Sequence, residues 1–263
     1  MQEAIGVTDI KDVAAEVVCD RFSDEGWVRT SVHVPSEMEL TIHVNQQPLV
    51  KILCTAAKLD YLVIGYLYAE GIISSTSEVA DMRVSEEESL ADVILKNPGY
   101  KLPTVRTLGC SGSTVFKTQG LKVESELVVT PTEVLSLMKQ LQEQMELYKL
   151  SGGVHTSALS DTRDLLVVAE DIGRHNTLNK IQGECLMKGI STRDRLMLIT
   201  GRISSEMLLK AAKMQTPIVV SRHAPTMNAI SLARDMGIAL VGQARGSRLA
   251  VFTHPERLGC SIN

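Results

Sequence analysis

The pattern of apolar and polar positions changes character partway along the chain. In the first half it runs with a period of two. Residues 28–34 (VRTSVHV) and 38–44 (MELTIHV) alternate around Pro35-Ser36-Glu37, which predicts a β-hairpin. A turn at Asn45-Gln46-Gln47-Pro48 leads into a strand, LVKILCT. KLDYLVIGYLYA at 58–69 reads as a buried helix ended by Gly71. Residues 74–88 are polar and acidic and read as loop, VILK at 93–96 is a short strand, and a Pro/Gly/Tyr-rich link leads to RTLGCSGST at 106–114.

In the second half the period lengthens. Thr130-Pro131-Thr132-Glu133 is a capping box with proline at the first helical position. Val134, Met138, Leu141, Met145 and Tyr148 then recur three and four apart, predicting one helix over 130–150 that Gly152-Gly153 ends. HTSALS and DLLVVAE form a hairpin over Asp161-Thr162-Arg163. Beyond it, strands LMLIT, IVVS, IALVG and LAVFT alternate with helices over roughly 176–187, Ser204 or Ser205 to Lys213, and Thr226 to Met236. This order predicts an α/β layered domain with a largely parallel sheet. The domain boundary is placed near residue 125. It separates a smaller β-rich, α+β-type domain (1–125) from an α/β domain (126–263).

Composition narrows the function classes. Hydrophobic residues make up 44% of the 263, enough for a sizeable core, and aromatics only 3%, so that core is aliphatic and methionine-rich. A formal net charge of −4 argues against a nucleic-acid or other polyanion partner for the whole molecule. The N-terminus lacks a signal pattern and the most apolar stretch, YLVIGYLYAEGII, is too short for a membrane span, so no membrane association and a cytoplasmic location are expected. Cys19, Cys54, Cys110, Cys185 and Cys260 are odd in number and form no C-x-x-C pair, against a disulfide framework or a cysteine-rich zinc site.

In open α/β sheets ligands bind beyond the carboxyl ends of the strands. Here those segments read Asp171-Ile172-Gly173-Arg174-His175-Asn176, Gly201-Arg202-Ile203-Ser204-Ser205-Glu206, Arg222-His223-Ala224-Pro225-Thr226, and Gln243-Ala244-Arg245-Gly246-Ser247-Arg248. Each holds an arginine, whose fork matches phosphate oxygens, and most hold small residues beside a helix start. One such arginine reads as a surface ion-pair partner. Four segments in register point to a multiply phosphorylated ligand. Neither a P-loop nor a G-x-G-x-x-G fingerprint is present. His155, His175, His223 and His254 read first as structural residues, and without the H-x-E and P-C-x-x-C deaminase signature no metal is expected. Cys110, between Gly109 and Gly112, is either an incidental loop thiol or a nucleophile whose pKa falls near arginines or backbone amides.

The stretches YLVIGYLYAEGII, SGGVHTSAL, EDIGRHNTLNKIQGE, GRISSEMLLKAA, PIVVSRHAPT and LVGQARGSRLAVFTHPERL closely resemble the formate dehydrogenase accessory sulfurtransferase (FdhD) family, from about residue 25 to the C-terminus. The resemblance implies a C-terminal three-layer, cytidine-deaminase-like fold without zinc ligands, in a cytoplasmic homodimer. It implies that sulfur is taken from a cysteine desulfurase as a persulfide. The sulfur then passes to the molybdenum or tungsten bis-molybdopterin guanine dinucleotide cofactor that formate dehydrogenase requires. By resemblance, Cys110 is the persulfide carrier and Gln243 to Arg248 (Gln243, Ala244, Arg245, Gly246, Ser247, Arg248) bind the guanine dinucleotide. Arg174, Arg202 and Arg222 are added from their strand-end positions. One departure stands out: many relatives have C-G-x-C on the loop, whereas here Ser113 follows in Cys110-Ser111-Gly112-Ser113. A two-thiol release through an internal disulfide is then closed to this chain alone. A carrier of the cofactor that moves no sulfur is the competing reading, and a nucleotide-processing hydrolase a third.

Overall fold

In the computed structural model, which describes residues 13–97, 99 and 121–260, the first two strands pair with each other. β1 (Ala14–Ser23) and β2 (Gly26–Pro35) form an antiparallel ribbon running from Ala14↔Pro35 to Ser23↔Gly26. The expected hairpin of 28–34 with 38–44 does not form. The ribbon leaves Val17, Val18 and Val28 exposed, so its sequence carries little burial alternation. β3 (Met38–Val44) buries Leu40, Ile42 and Val44 completely, and it takes partners that share that core. These are β4 (Gln47–Cys54), antiparallel, and β6 (Leu90–Leu95), parallel. Asn45 and Gln46, both at positive φ, make a two-residue turn matched to the strand twist, so Gln47 and Pro48 already belong to β4. Within the stretch read as loop lies β5 (Val79–Ser85), an edge strand paired only with β6, mostly solvent-facing and therefore without an apolar stripe.

The resulting four-stranded sheet, β4-β3-β6-β5, is covered by α1 (Leu59–Ala69), which is apolar all round because it is buried all round. Its other side meets α4 (Arg174–Lys188). The crossing is close because each helix offers a glycine. A Cβ on Gly65 would overlap the Asn179 carbonyl, and one on Gly183 the Tyr61 carbonyl.

α4 in turn lies on a six-stranded sheet. β7 (His155–Ser160), β8 (Leu165–Asp171), β9 (Leu196–Ile199), β10 (Ile218–Ser221), β11 (Ala239–Arg245) and β12 (Arg248–Thr253) take the order β12-β11-β10-β9-β7-β8. Alternate residues serve opposite faces. Met197 and Ile199 meet α4, α5 (Ser205–Lys213) and α6 (Met227–Met236), whereas Leu196 and Leu198 meet α2 (Pro131–Glu143), giving three layers. The sheet is mixed rather than largely parallel. Only β9–β10 and β10–β11 pair parallel, because the tight β7–β8 and β11–β12 links are too short for a crossover. The helix expected over 130–150 is broken. α2 stops at Glu143, and α3 (Glu146–Ser151) starts anew with the Glu170 carboxylate accepting from Leu147 N–H (2.7 Å) and Tyr148 N–H (3.1 Å). The Thr130–Glu133 capping box is present, but Tyr148 is exposed.

The two sheets are joined by a polar knot. Asp171, at the end of β8, and Lys180 of α4 form an ion pair of 2.6 Å with both side chains fully buried. Asp171 also accepts from Thr55 N–H at 3.1 Å and Gly173 N–H at 2.7 Å. Lys180 donates to the Thr55 carbonyl at 3.1 Å and Asn176 to the Leu53 carbonyl at 2.8 Å. Removing one partner of such a pair strands a buried charge, so Asp171→Ala is expected to cost about 3–5 kcal/mol in urea denaturation. Gly183→Ala should lose about 3 kcal/mol or more through forced separation of α1 and α4. A wild-type midpoint for either variant would show that the joint does not hold the sheets together.

Candidate functional site

β7 is antiparallel to both β8 and β9, so β8, β9, β10 and β11 point the same way. Their carboxyl ends, and the first residue of β7, His155, meet at one edge of the sheet. The four arginine-bearing segments are therefore brought together even though the sheet is mixed.

Small residues set the approach. Gly201, after β9, is seated where a Cβ would come within 3.2 Å of His155 Nδ1 and 3.5 Å of Arg174 Cβ, so this backbone passes directly beside both side chains. Buried Ser221 donates to the Gly201 carbonyl (2.7 Å) and accepts from His223 N–H (2.9 Å), fixing the ends of β9 and β10 together. Gly242 has no room for a Cβ between the Phe252 ring and the His223 carbonyl. The register of β11 against β12 then shifts between Gly242 and Arg245, with Gln243 held at φ 55. That bulge re-aims the strand end. Arg245 Nε donates to the Arg222 carbonyl (2.8 Å), and its guanidinium Nη2 lies 3.1 Å from His223 Nδ1. A guanidinium can only donate, so Nδ1 accepts, and the neutral His223 ring carries its proton on Nε2.

The electrostatics are one-sided. Burial, then the charge of Arg174, then His223 hold the His155 imidazole below its usual pKa, against the pull of Asp171. Desolvation, then Arg245, Arg222 and Arg202 do the same to His223. Asp171 is already committed to Lys180. α4 and α5 begin at this edge with N-caps, Gly173 and Ser204, that make no side-chain capping bond. Two buried polar atoms here, Arg174 Nε and Ser204 Oγ, have no hydrogen-bond partner among the described residues. Uncapped helix starts, guanidiniums and unsatisfied donors suit an anion rich in oxygen acceptors.

The expected site residues divide. Arg245 contacts His223, Arg202 and Arg222 act on it through their charge, and Arg174 lies with His155 beside Gly201. Gln243 contributes a strained backbone, and Gly246, at φ 57, and Ser247 form the turn that sets exposed Arg248 opposite Arg245. Ala244 is fully buried on the α2 side, so its side chain is core. Cys110 lies outside the described residues. His155 and Ser221 lie in stretches that carry the family resemblance, but only strand order places them at this edge. His175 pairs with Glu206 at 3.3 Å, and His254 bonds Glu256 and the Arg234 carbonyl at the end of α6.

Residues 35–259 match the FdhD/NarQ family. The chain is 39% identical to the sulfur carrier protein FdhD of Bacillus subtilis (strain 168), covering 96% of this chain and 98% of that one. It is 35% identical to the sulfur carrier protein FdhD of Staphylococcus aureus (strain MRSA252), covering 94% and 97%. The crystal structure of a protein described as a candidate formate dehydrogenase accessory protein, from Desulfotalea psychrophila, superposes with a TM-score of 0.79. At 24% identity over 94% of this chain and 99% of that one, it shares the fold. With a family match over most of its length and near-full-length relatives above 30% identity, the chain belongs to the FdhD/NarQ family.

Proposed function

We propose that this protein is a sulfur carrier for formate dehydrogenase maturation, acting as a sulfurtransferase in the cytoplasm. It holds the bis-molybdopterin guanine dinucleotide cofactor, its cargo, by the phosphates. The observation that carries the reading is the arginine cluster at the carboxyl edge of the six-stranded sheet, with Arg174 Nε and Ser204 Oγ buried and without a partner among the described residues, beside two helix starts that lack a side-chain cap. A diesterified pyrophosphate offers the acceptors those groups lack. The names of the relatives, sulfur carrier proteins, support the sulfur-carrier half of the reading.

The chemistry then divides between two places. The Cys110 thiolate attacks the terminal sulfur of a desulfurase persulfide, forming a Cys110 persulfide and returning the donor as a thiolate. Handing that sulfane sulfur to the cofactor metal as sulfide consumes two electrons. Ser113 stands where a second thiol would supply them through an internal disulfide. The electrons therefore come from the acceptor metal or from an external thiol. Ser113 also favours the competing reading, a carrier that docks the cofactor on formate dehydrogenase without moving sulfur.

Incubation with a cysteine desulfurase and cysteine is expected to add one sulfur to Cys110, seen by mass spectrometry, and none at that position in Cys110→Ala. Full rescue of formate dehydrogenase activity by Cys110→Ser in a strain lacking the native gene would decide for the docking reading. For the cargo site, Arg245→Ala should weaken GDP binding by roughly 1.5–3 kcal/mol in calorimetry, the loss of a charge-assisted hydrogen bond. Unchanged affinity would remove Arg245 from the site.

A further inference from the structure

We propose that His155 and His223 form a proton-coupled part of this anion site: neutral while the site is open, they become imidazolium when a phosphodiester ligand occupies it, so that binding takes up protons and releases Arg245. The inference rests on the phosphate-binding reading above and adds to it the groups that change state.

The geometry sets up the coupling. His155, the first residue of β7, faces Arg174 of α4, Asp171 of β8 and His223. His223, after β10, faces Arg245 of β11, Arg202 after β9 and its own neighbour Arg222. Among these groups the single acid is Asp171, fully buried and 2.6 Å from Lys180. Four guanidinium charges thus act on two imidazoles, and among the described residues the one carboxylate that acts on either ring is that of Asp171. Burial first, and then this field, in which a protonated imidazole adds like charge to like charge, hold both rings below their usual pKa.

A bound pyrophosphate diester reverses the sign. It brings two negative charges into the same space, so the field at both rings now favours the imidazolium. At His223 the change has a structural consequence. Its Nδ1 accepts from the Arg245 guanidinium at 3.1 Å, an acceptor role that ends once Nδ1 carries a proton. Arg245 Nη2 is then free to turn to the phosphate, while Nε keeps the Arg222 carbonyl at 2.8 Å. The latch that occupies Arg245 in the open site is thereby exchanged for a contact with the ligand.

The direction of the pH dependence follows. Above the pKa of the bound state both rings are neutral with or without ligand, and affinity is flat. Below the pKa of the open state both are already charged, and affinity is flat again. Between the two, affinity tightens as pH falls, by one factor of ten per pH unit for each proton taken up.

The probe is diguanosine pyrophosphate, whose two phosphates are diesters and do not titrate near neutral pH. Calorimetric titration of the full chain at pH 7, in two buffers of different ionisation enthalpy, counts the protons directly. Uptake of about half a proton to one proton is expected, with affinity about tenfold tighter at pH 6 than at pH 8. His155→Gln and His223→Gln should each reduce the uptake, and the double variant should bind with less than about twofold change over that range. Imidazole nitrogen resonances of the wild-type protein give a second readout that needs no variant. His223 Nδ1 should change from acceptor to protonated on ligand addition. Binding with identical heats in both buffers would overturn the coupling and leave the phosphate site standing. No binding at any pH would overturn the phosphate site, and the coupling with it.

Discussion

The contact on which the rest depends is the buried ion pair between Asp171 and Lys180. It closes the distance between two sheets that share no strand. Asp171 ends β8 and also takes the amides of Thr55 and Gly173, while Lys180 reaches the carbonyls of Thr55 and Glu170. One carboxylate thereby fixes the exit of β4, the end of β8 and the first turn of α4. An ion pair with no solvent access is weak evidence for net stability, because desolvation offsets its attraction. Its effect here is positional. With either charge gone, the other is left buried without a partner, so the two halves hold one alignment.

The glycine crossing of α1 and α4 supplies the complementary apolar joint. Gly65 and Gly183 bring the two helix backbones together, and aliphatic side chains of α1 then fill the space over the four-stranded sheet. Between the knot and the crossing, α4 is held on both sides along its length. Its N-terminal turn, carrying Arg174, is therefore set by the core and not by the exposed edge. That rigidity matters for a site made of arginines, whose long side chains would otherwise lose rotamer freedom for each contact made.

Much of this is written locally in the sequence. IVVS and LMLI are short aliphatic runs because helices cover both faces, and runs of that kind read as strands on sight. The Thr130–Glu133 cap fixes a helix start for the same local reason. Other features depend on partners distant in sequence. β1 and β5 carry no burial stripe, because β1 stands in a ribbon outside both sheets and β5 at an edge. Met145 continues the apolar rhythm of α2, yet the Glu170 carboxylate stops the helix there by capping α3. The arginine segments are legible at the strand ends because strand direction, and not pairing, decides where they meet. Within the Gln243 to Arg248 segment, which resemblance and not periodicity singles out, period two turns Ala244 inward while Gln243 and Arg245 turn out. His155 could not be placed without knowing that β7 runs between β8 and β9.

The knot and the cationic edge are two consequences of one arrangement of charge. Asp171 stands close enough to the edge to raise the pKa of His155, yet its charge is spent on Lys180, and its oxygens are taken by backbone and by Asn176. The edge is thus left with guanidiniums and imidazoles in excess on a chain whose net charge is −4. Repulsion among those cations is reduced locally, since Arg245 donates to the Arg222 carbonyl and to a neutral His223 in place of water. These contacts are weaker than those an anion would offer, so the edge favours the proposed phosphate ligand over its own internal contacts. A cargo held through its phosphates at this edge leaves its metal end unclaimed by any residue described at the site. In the proposed division of labour, that end is the one the single thiol of the 106–114 segment has to reach.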